Sequence, residues 1–296
     1  MKKLLLSLIL CTLFVSVNAQ TLKKCHTDEM MKAWFDKNPN AKAEFEKRQQ
    51  EAKEQDAIAF KNGYGQQNKT MVAPTYTIPV VFHVLHQGGA ENISDAQILD
   101  QVNILTRDYN KLNADTSVVV PQFKNLIGDV KFAFMLATKD PSGNCTNGIV
   151  RHNNPKTNWT NSLSDYIYTW PRDKYLNIYV VKTIASGAAG YTYLPGTAPS
   201  LAADAIVVLH DYVGSIGTSN VGKSRVLTHE AGHWLNLSHV WGNTNNAGVA
   251  CGDDGVTDTP ITRGYLSWPS VTAAAMFCNA CIVEYYQNYM YYSYCD

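Results

Sequence analysis

The 296-residue chain sets 25 Lys+Arg against 25 Asp+Glu, and 45% of it is hydrophobic. That length supports one large domain or two small ones with a proper core, and the composition excludes low-complexity, collagen-like and mainly disordered chains. Zero net charge argues against a nucleic-acid binder, which would show a basic excess.

Met1-Lys2-Lys3 is a short positive start, and Leu4 to Val17 is an almost unbroken apolar run. Val17-Asn18-Ala19 then offers small residues for cleavage before Gln20. The pattern predicts a secretory signal peptide over residues 1–19 and an extracellular destination. The run falls short of the roughly 20 residues a bilayer span needs, and no other stretch could supply one. Residues 21–70 follow as a charged arm holding 10 basic and 8 acidic residues. From Thr27 to about Phe60 the pattern is helical, with Met30, Met31, Trp34, Phe35 and Phe45 among the charges; residues 61–75 are a polar linker.

The body opens with Ile78–His86, an apolar run that predicts a buried strand. A helix is expected over Ser94–Asn110, with Ser94 as N-cap and Ile98, Val102 and Leu105 at helical spacing. Further strands are expected at Val130–Ala137, Leu176–Val181, Gly190–Leu194 and Ala205–His210, and a second helix at about Ser224–Leu235. This order predicts an α/β (α+β) fold with a mixed sheet. Six cysteines remain beyond the signal: Cys25, Cys145, Cys251, Cys278, Cys281 and Cys295. An exported chain can oxidise them, so the last four predict a local disulfide-stapled subdomain of open connectivity. Cys278-x-x-Cys281 could instead be half of a zinc knuckle, but no second pair of that spacing follows.

The segment His229-Glu230-Ala231-Gly232-His233-Trp234-Leu235-Asn236-Leu237-Ser238-His239 carries chemistry. On a helix, His229 and His233 lie at i and i+4, so both imidazoles can share one metal, and Glu230 can reach a water beside it. His239 can join them only if the helix breaks, and Asn236 tolerates the left-handed conformation that ends helices. Three neutral imidazoles with an open fourth position describe a catalytic zinc site. At this chain's frequency of His and Glu the HExxH core arises by chance about 0.6% of the time. His83, His86, His152 and His210 have no such spacing and are expected to be packed strand or loop histidines.

The HExxHxxNxxH pattern resembles that of the metzincin metalloproteases, and Asn288-Tyr289-Met290-Tyr291-Tyr292 resembles the Met-turn of that clan. Between them, Cys251-Gly-Asp-Asp-Gly-Val-Thr-Asp258-Thr259-Pro260 is similar to the pappalysin family in its microbial branch, and Ile78–His86 and Asp140–Arg151 also look like parts of it. The resemblance implies a twisted sheet with a backing helix and an active-site helix, followed by a small irregular subdomain over 240–296. It implies His229, His233 and His239 as zinc ligands, and Glu230 as the general base acting on a zinc-activated water. It gives Met290 as a structural floor and Tyr292 as a tyrosine that can stabilise the oxyanion, where a packed aromatic is the plain alternative. Gly190–Leu194 resembles the edge strand that holds a peptide substrate by strand addition. The implied activity is a secreted zinc endopeptidase acting on protein or peptide substrates, made as a zymogen. The chain runs six residues beyond Met290, where the family continues into a segment that walls the S1′ pocket, so no cleavage preference is carried over.

Two further expectations follow. Asp253, Asp254, Asp258 and Thr259 place oxygens on a compact loop with Gly255, which suits calcium, as the microbial relatives imply; an acidic turn capping Thr259-Pro260 is the alternative. Residues 20–73 are expected to be a propeptide, with Cys25 as a thiolate latch on the zinc. Lys24-Cys25-His26-Thr27 is similar to the family's cysteine motif, with His26 where a glycine is usual. A Cys25–Cys145 disulfide is the competing reading. Residues 74–239 then form the catalytic subdomain. A catalytically inactive secreted binding module is the other functional class, and the intact Glu230 argues against it. A thermolysin-like site would need a downstream glutamate, and only Glu284 lies there, without a framing apolar helix.

Overall fold

The computed structural model describes residues 23–61, 76–242, 247–264, 278 and 283–292. The signal peptide, all of the linker beyond Lys61, Cys281 and Cys295 lie outside the described residues. Among the described residues, no helix is long and apolar enough to cross a membrane.

The arm forms two helices where the sequence predicts one, α1 (Thr27–Phe35) and α2 (Pro39–Lys61). The break has a local cause. Pro39 lacks an N–H and fits only a first helical turn, so a new helix starts there. Phe35 and Phe45 meet across the corner at 5.5 Å, and Met31 and Phe45 bury into the main core. The arm is therefore packed onto the body.

The body contains β1 (Tyr76–His86), α3 (Asp95–Tyr109), β2 (Phe132–Leu136), β3 (Ile149–Asn153), β4 (Asn158–Trp159), β5 (Leu176–Val181), β6 (Thr183–Ile184), β7 (Gly190–Tyr191), β8 (Ile206–Leu209) and α4 (Val226–Trp234). Ser94 caps α3, its side chain accepting from the Gln97 N–H. The main sheet runs β2-β1-β5-β8-β7, with β3 also on β1; all its pairings are parallel except the antiparallel edge strand β7 on β8. β4 and β6 form a separate parallel pair. Strands buried on both faces read as unbroken apolar runs, which is why β1, β5 and β8 are visible in the sequence. β3 (IVRHN) is half-exposed and carries no such signal, and it was not expected.

Two expected strands are shorter than their apolar runs. β2 starts only after Lys131, whose φ of 58° interrupts an extended chain. β7 stops at Tyr191 because the Thr192 N–H donates to Thr27 Oγ1 of the arm, and a turn from Leu194 to Thr197 follows. α3 buries Ile98, Val102 and Leu105 against the sheet and also carries Asp108. Asp108 accepts from Thr228 Oγ1 at 2.8 Å and pairs with Arg225, which tethers α3 to α4. Beyond α4 the described residues contain no regular helix or strand, only the isolated bridge of Gly252 with Thr262. A disulfide joins Cys251 to Cys278, so the stapled subdomain has one of its expected cysteine pairs. Cys25 and Cys145 are both thiols, the first buried and the second exposed, so no bridge links them.

Candidate metal centre

α4 is one turn too short to carry the third histidine, and its end is built to turn the chain back. Asn236 adopts φ 77°; its N–H bonds to the His233 carbonyl and the Leu237 N–H to the Gly232 carbonyl. These two bonds with a left-handed residue make a Schellman ending. The returning chain delivers the Leu237 carbonyl to His233 Nδ1 at 2.7 Å and brings His239 beside His229 and His233. The turn around Met290 does the same for the first histidine. Asn288 Oδ1 accepts from the Met290 N–H at 2.8 Å, and the Tyr289 carbonyl sits 2.7 Å from His229 Nδ1.

The tautomers follow from these contacts. A carbonyl oxygen only accepts, so Nδ1 of His229 and of His233 must donate, and Nδ1 of His239 faces the Asp28 carboxylate at 2.8 Å in the same way. In neutral rings the Nε2 atoms are then bare lone pairs, and the three face one another at 3.1–3.2 Å. Three acceptors converging in a buried space repel unless a cation lies between them. A tetrahedral zinc with 2.0–2.1 Å bonds would set such nitrogens roughly 3.3 Å apart, so the donor set fits that ion. Burial lowers the pKa of His229 to about 3 and that of His233 well below its ordinary value, which keeps both neutral and able to ligate.

The fourth corner belongs to the arm. Cys25 Sγ and the three imidazoles place their ligand atoms within 4.8 Å of one another, all buried. The thiol also lies 3.6 Å from Glu230 Oε2, and burial raises its pKa well above the ordinary thiol value. Thr27 Oγ1 donates to the same carboxylate oxygen at 3.4 Å. Glu230 is wholly buried and its pKa is pushed up to about 8, chiefly by desolvation. Its other oxygen, Oε1, has no hydrogen-bond partner among the described residues and lies against β7, where a Cβ on Gly190 would come within 3.3 Å of it. The Cys25 carbonyl accepts from Tyr292 Oη at 3.1 Å, and Cys25 pairs in parallel with Gly190 of β7. His26 has φ −123°, a conformation open to any residue, so the glycine usual in this motif is not required here.

Trp241 stacks on the His239 ring at 4.7 Å, and Tyr292 packs edge-on to it at 4.8 Å. Met290 lies beneath α4 and is 4% exposed. Glu284 is far from the chemistry in its bonding: it accepts from Thr262 Oγ1 and the Arg263 N–H. In the loop of Asp253, Asp254 and Asp258, each carboxylate bonds within the loop, to the N–H groups of Gly255 and Val256 and to Thr259 Oγ1. Thr27, Asp28 and Gln49 are contributors the sequence did not reveal. Gln49 donates to Asn236 Oδ1 at 2.8 Å, so α2 lies over the end of α4.

A mixed sheet, a short helix with two histidines and a third histidine after a left-handed turn define a metalloendopeptidase of the metzincin type. Residues 158–296 match the family model described as pregnancy-associated plasma protein-A, peptidase family M43. Mature mirolysin of Tannerella forsythia, in complex with a cleaved peptide, is 33% identical, with a TM-score of 0.67 over 75% of this chain and 85% of that one. The chain belongs to this pappalysin family of metalloproteases. A promirolysin mutant from the same organism aligns over 92% of this chain and 87% of its own, with a TM-score of 0.68 and 28% identity. An extracellular metalloprotease of Arthroderma benhamiae is 28% identical over 221 residues, 74% of this chain and 70% of the relative.

Proposed function

We propose that the chain is a secreted zinc endopeptidase made as a zymogen, with His229, His233 and His239 as zinc ligands and the arm around Cys25 as its latch. The observation that carries this reading is the position of Cys25 Sγ, which completes a four-donor set with the three imidazoles. Secretion rests on the signal-like start of the sequence and on relatives named extracellular metalloproteases.

When bound, zinc supplies Lewis acidity that brings the pKa of a water toward 7 and polarises a peptide carbonyl. The protein supplies the proton path. Glu230, freed of Cys25 and Thr27, accepts the proton of the attacking water and passes it to the leaving amine nitrogen. Tyr292, whose hydroxyl donates to the arm's carbonyl, is the donor for the substrate's carbonyl oxygen as it gains charge. The β7 edge, taken by Lys24–His26 in the latent chain, is the rail on which a peptide adds as a strand.

The acidic loop is a calcium site in this reading, with Asp253, Asp254, Asp258 and Thr259 as its oxygens. Burial raises the pKa of Asp254 to about 6, and the nearby Asp253 and Asp258 add to this to a lesser extent. A thermal transition that is identical in calcium and in a calcium-selective chelator would remove this site. The proteolytic reading is tested by incubating arm-free protein with a mixed peptide library, with and without a zinc chelator. Chelator-sensitive internal cleavage is expected, and its absence at full zinc loading would overturn the assignment.

A further inference from the structure

Two of the three imidazoles in the centre take their Nδ1 partner from the body itself. His229 uses the Tyr289 carbonyl and His233 uses the Leu237 carbonyl. The third does not. His239 Nδ1 lies 2.8 Å from Asp28 Oδ2, which stands three residues after Cys25 in the removable arm. The contact is enclosed: the His239 side chain is fully buried and that of Asp28 is 11% exposed. Asp28 is held in the first turn of α1, where a helix favours a carboxylate. The ring it meets packs against both Trp241 and Tyr292.

A carboxylate behind a ligating imidazole fixes its tautomer, orients its ring and strengthens the opposite nitrogen as a donor. We propose that Asp28 is a positioning residue for the metal centre, lent by the arm, so that the precursor retains zinc through two separate contacts. Cys25 Sγ supplies a ligand, and Asp28 supports His239 as a ligand. Removal of the arm takes away both, and the processed enzyme holds its zinc less firmly than the precursor does. The inference rests on the three histidines being the zinc site and the arm being removed. It is independent of whether Cys25 is what silences the enzyme.

The test uses the full precursor, loaded with zinc and kept from cutting itself by Glu230→Ala, with Cys25 intact and in a Cys25→Ala background. Each is compared with its Asp28→Asn and Asp28→Ala versions by competition against a chromophoric zinc chelator. Asp28→Ala is expected to weaken zinc retention about 10-fold to 100-fold in both backgrounds, with Asp28→Asn, which keeps an acceptor but loses the charge, in between. Cobalt-loaded protein supplies a second readout, since the visible absorption should move with Asp28→Ala and a purely structural role in the arm would leave it in place. Equal zinc retention by Asp28→Ala and its parent in both backgrounds overturns the proposal. Protease activity of the Cys25→Ala precursor is read separately, with Glu230 intact, and bears on the latch alone. A wild-type precursor that takes up no zinc would sink the metal assignment itself.

Discussion

The sulfur of Met290 lies 2.3 Å from where a β-carbon on Gly232 would stand. Gly232 faces the turn beneath α4, directly before His233, so the absence of a side chain there sets how closely the floor approaches the helix. Gly232→Ala must push the thioether aside within a buried cluster, at a cost of about 1–3 kcal/mol. A lower thermal midpoint is expected, partly restored when Met290→Val shortens the opposing side chain. An unchanged midpoint for Gly232→Ala would mean that the floor is soft.

Glu230→Ala should retain zinc, because the carboxylate is not among the converging nitrogens, and should lose turnover by about 10²–10⁴-fold. Metal analysis and peptide cleavage on the same arm-free sample separate the two effects. A variant that cleaves near the wild-type rate would place the general base elsewhere.

Cys25→Ala in the intact precursor should yield a protein that cuts peptide, or itself, without a processing protease. Thr27→Val should loosen the latch to a smaller extent, since the hydroxyl bridges Glu230 and the Thr192 N–H. A Cys25→Ala precursor as inert as wild type would shift the blockade to the strand pairing of the arm on β7.

Asn236 holds φ 77°, which glycine adopts freely and alanine does not. Asn236→Ala is expected to cost about 1–2 kcal/mol and to loosen the approach of His239, whereas Asn236→Gly should cost a few tenths. Chemical denaturation of both variants, with zinc content measured in parallel, gives the comparison. Equal losses would locate the cost in the missing amide pair with Gln49 instead of the backbone.

What the sequence could convey depended on how locally each feature is encoded. His229, His233, Asn236 and His239 lie within one stretch whose spacing alone dictates a helix, a left-handed stop and a convergence of rings. β1, β5 and β8 are buried on both faces and so announce themselves as apolar runs. Thr27 and Asp28 gave no signal, because a hydroxyl and a carboxylate in a charged arm look like solvent-facing residues. They contact Glu230 and His239 across more than 200 positions of chain. β3 stayed hidden because its half-exposed residues mix Arg and His with two apolar ones. The Cys251–Cys278 pairing could not be derived either, since four cysteines in one tail permit several connectivities.

His83 is buried in β1 with Nε2 3.0 Å from Asn177 Oδ1, and burial lowers its pKa to about 4. The unfolded chain titrates near 6.5, so between these values it binds more protons than the native state. The stability contributed by the neutral ring is complete above pH 6.5 and is lost as pH falls through about 4. The full displacement corresponds to about 3 kcal/mol. His152, 5.7 Å from His83 between ring centroids, is likewise lowered to about 4 by burial and adds to the same acid limb. Urea midpoints of the precursor should fall from pH 7 to pH 4, and less steeply for His83→Gln. Parallel curves for the two proteins would assign the acid sensitivity to other groups.

The parallel bridge between Cys25 and Gly190 has a consequence for the protein in storage. A sheet that ends in an unpaired strand offers a template on which another molecule can add, the usual route to aggregation. In the latent chain that margin is occupied, with the His26 N–H bonded to the Gly190 carbonyl and the Ala189 N–H to the Lys24 carbonyl. Under the proposed processing, release of the arm would uncover a margin only two residues long, Gly190–Tyr191. Such a short margin can take a peptide already positioned by the metal centre, but it is a poor seed for stacking whole molecules. Concentrated processed enzyme should therefore stay monodisperse about as long as the precursor at the same concentration.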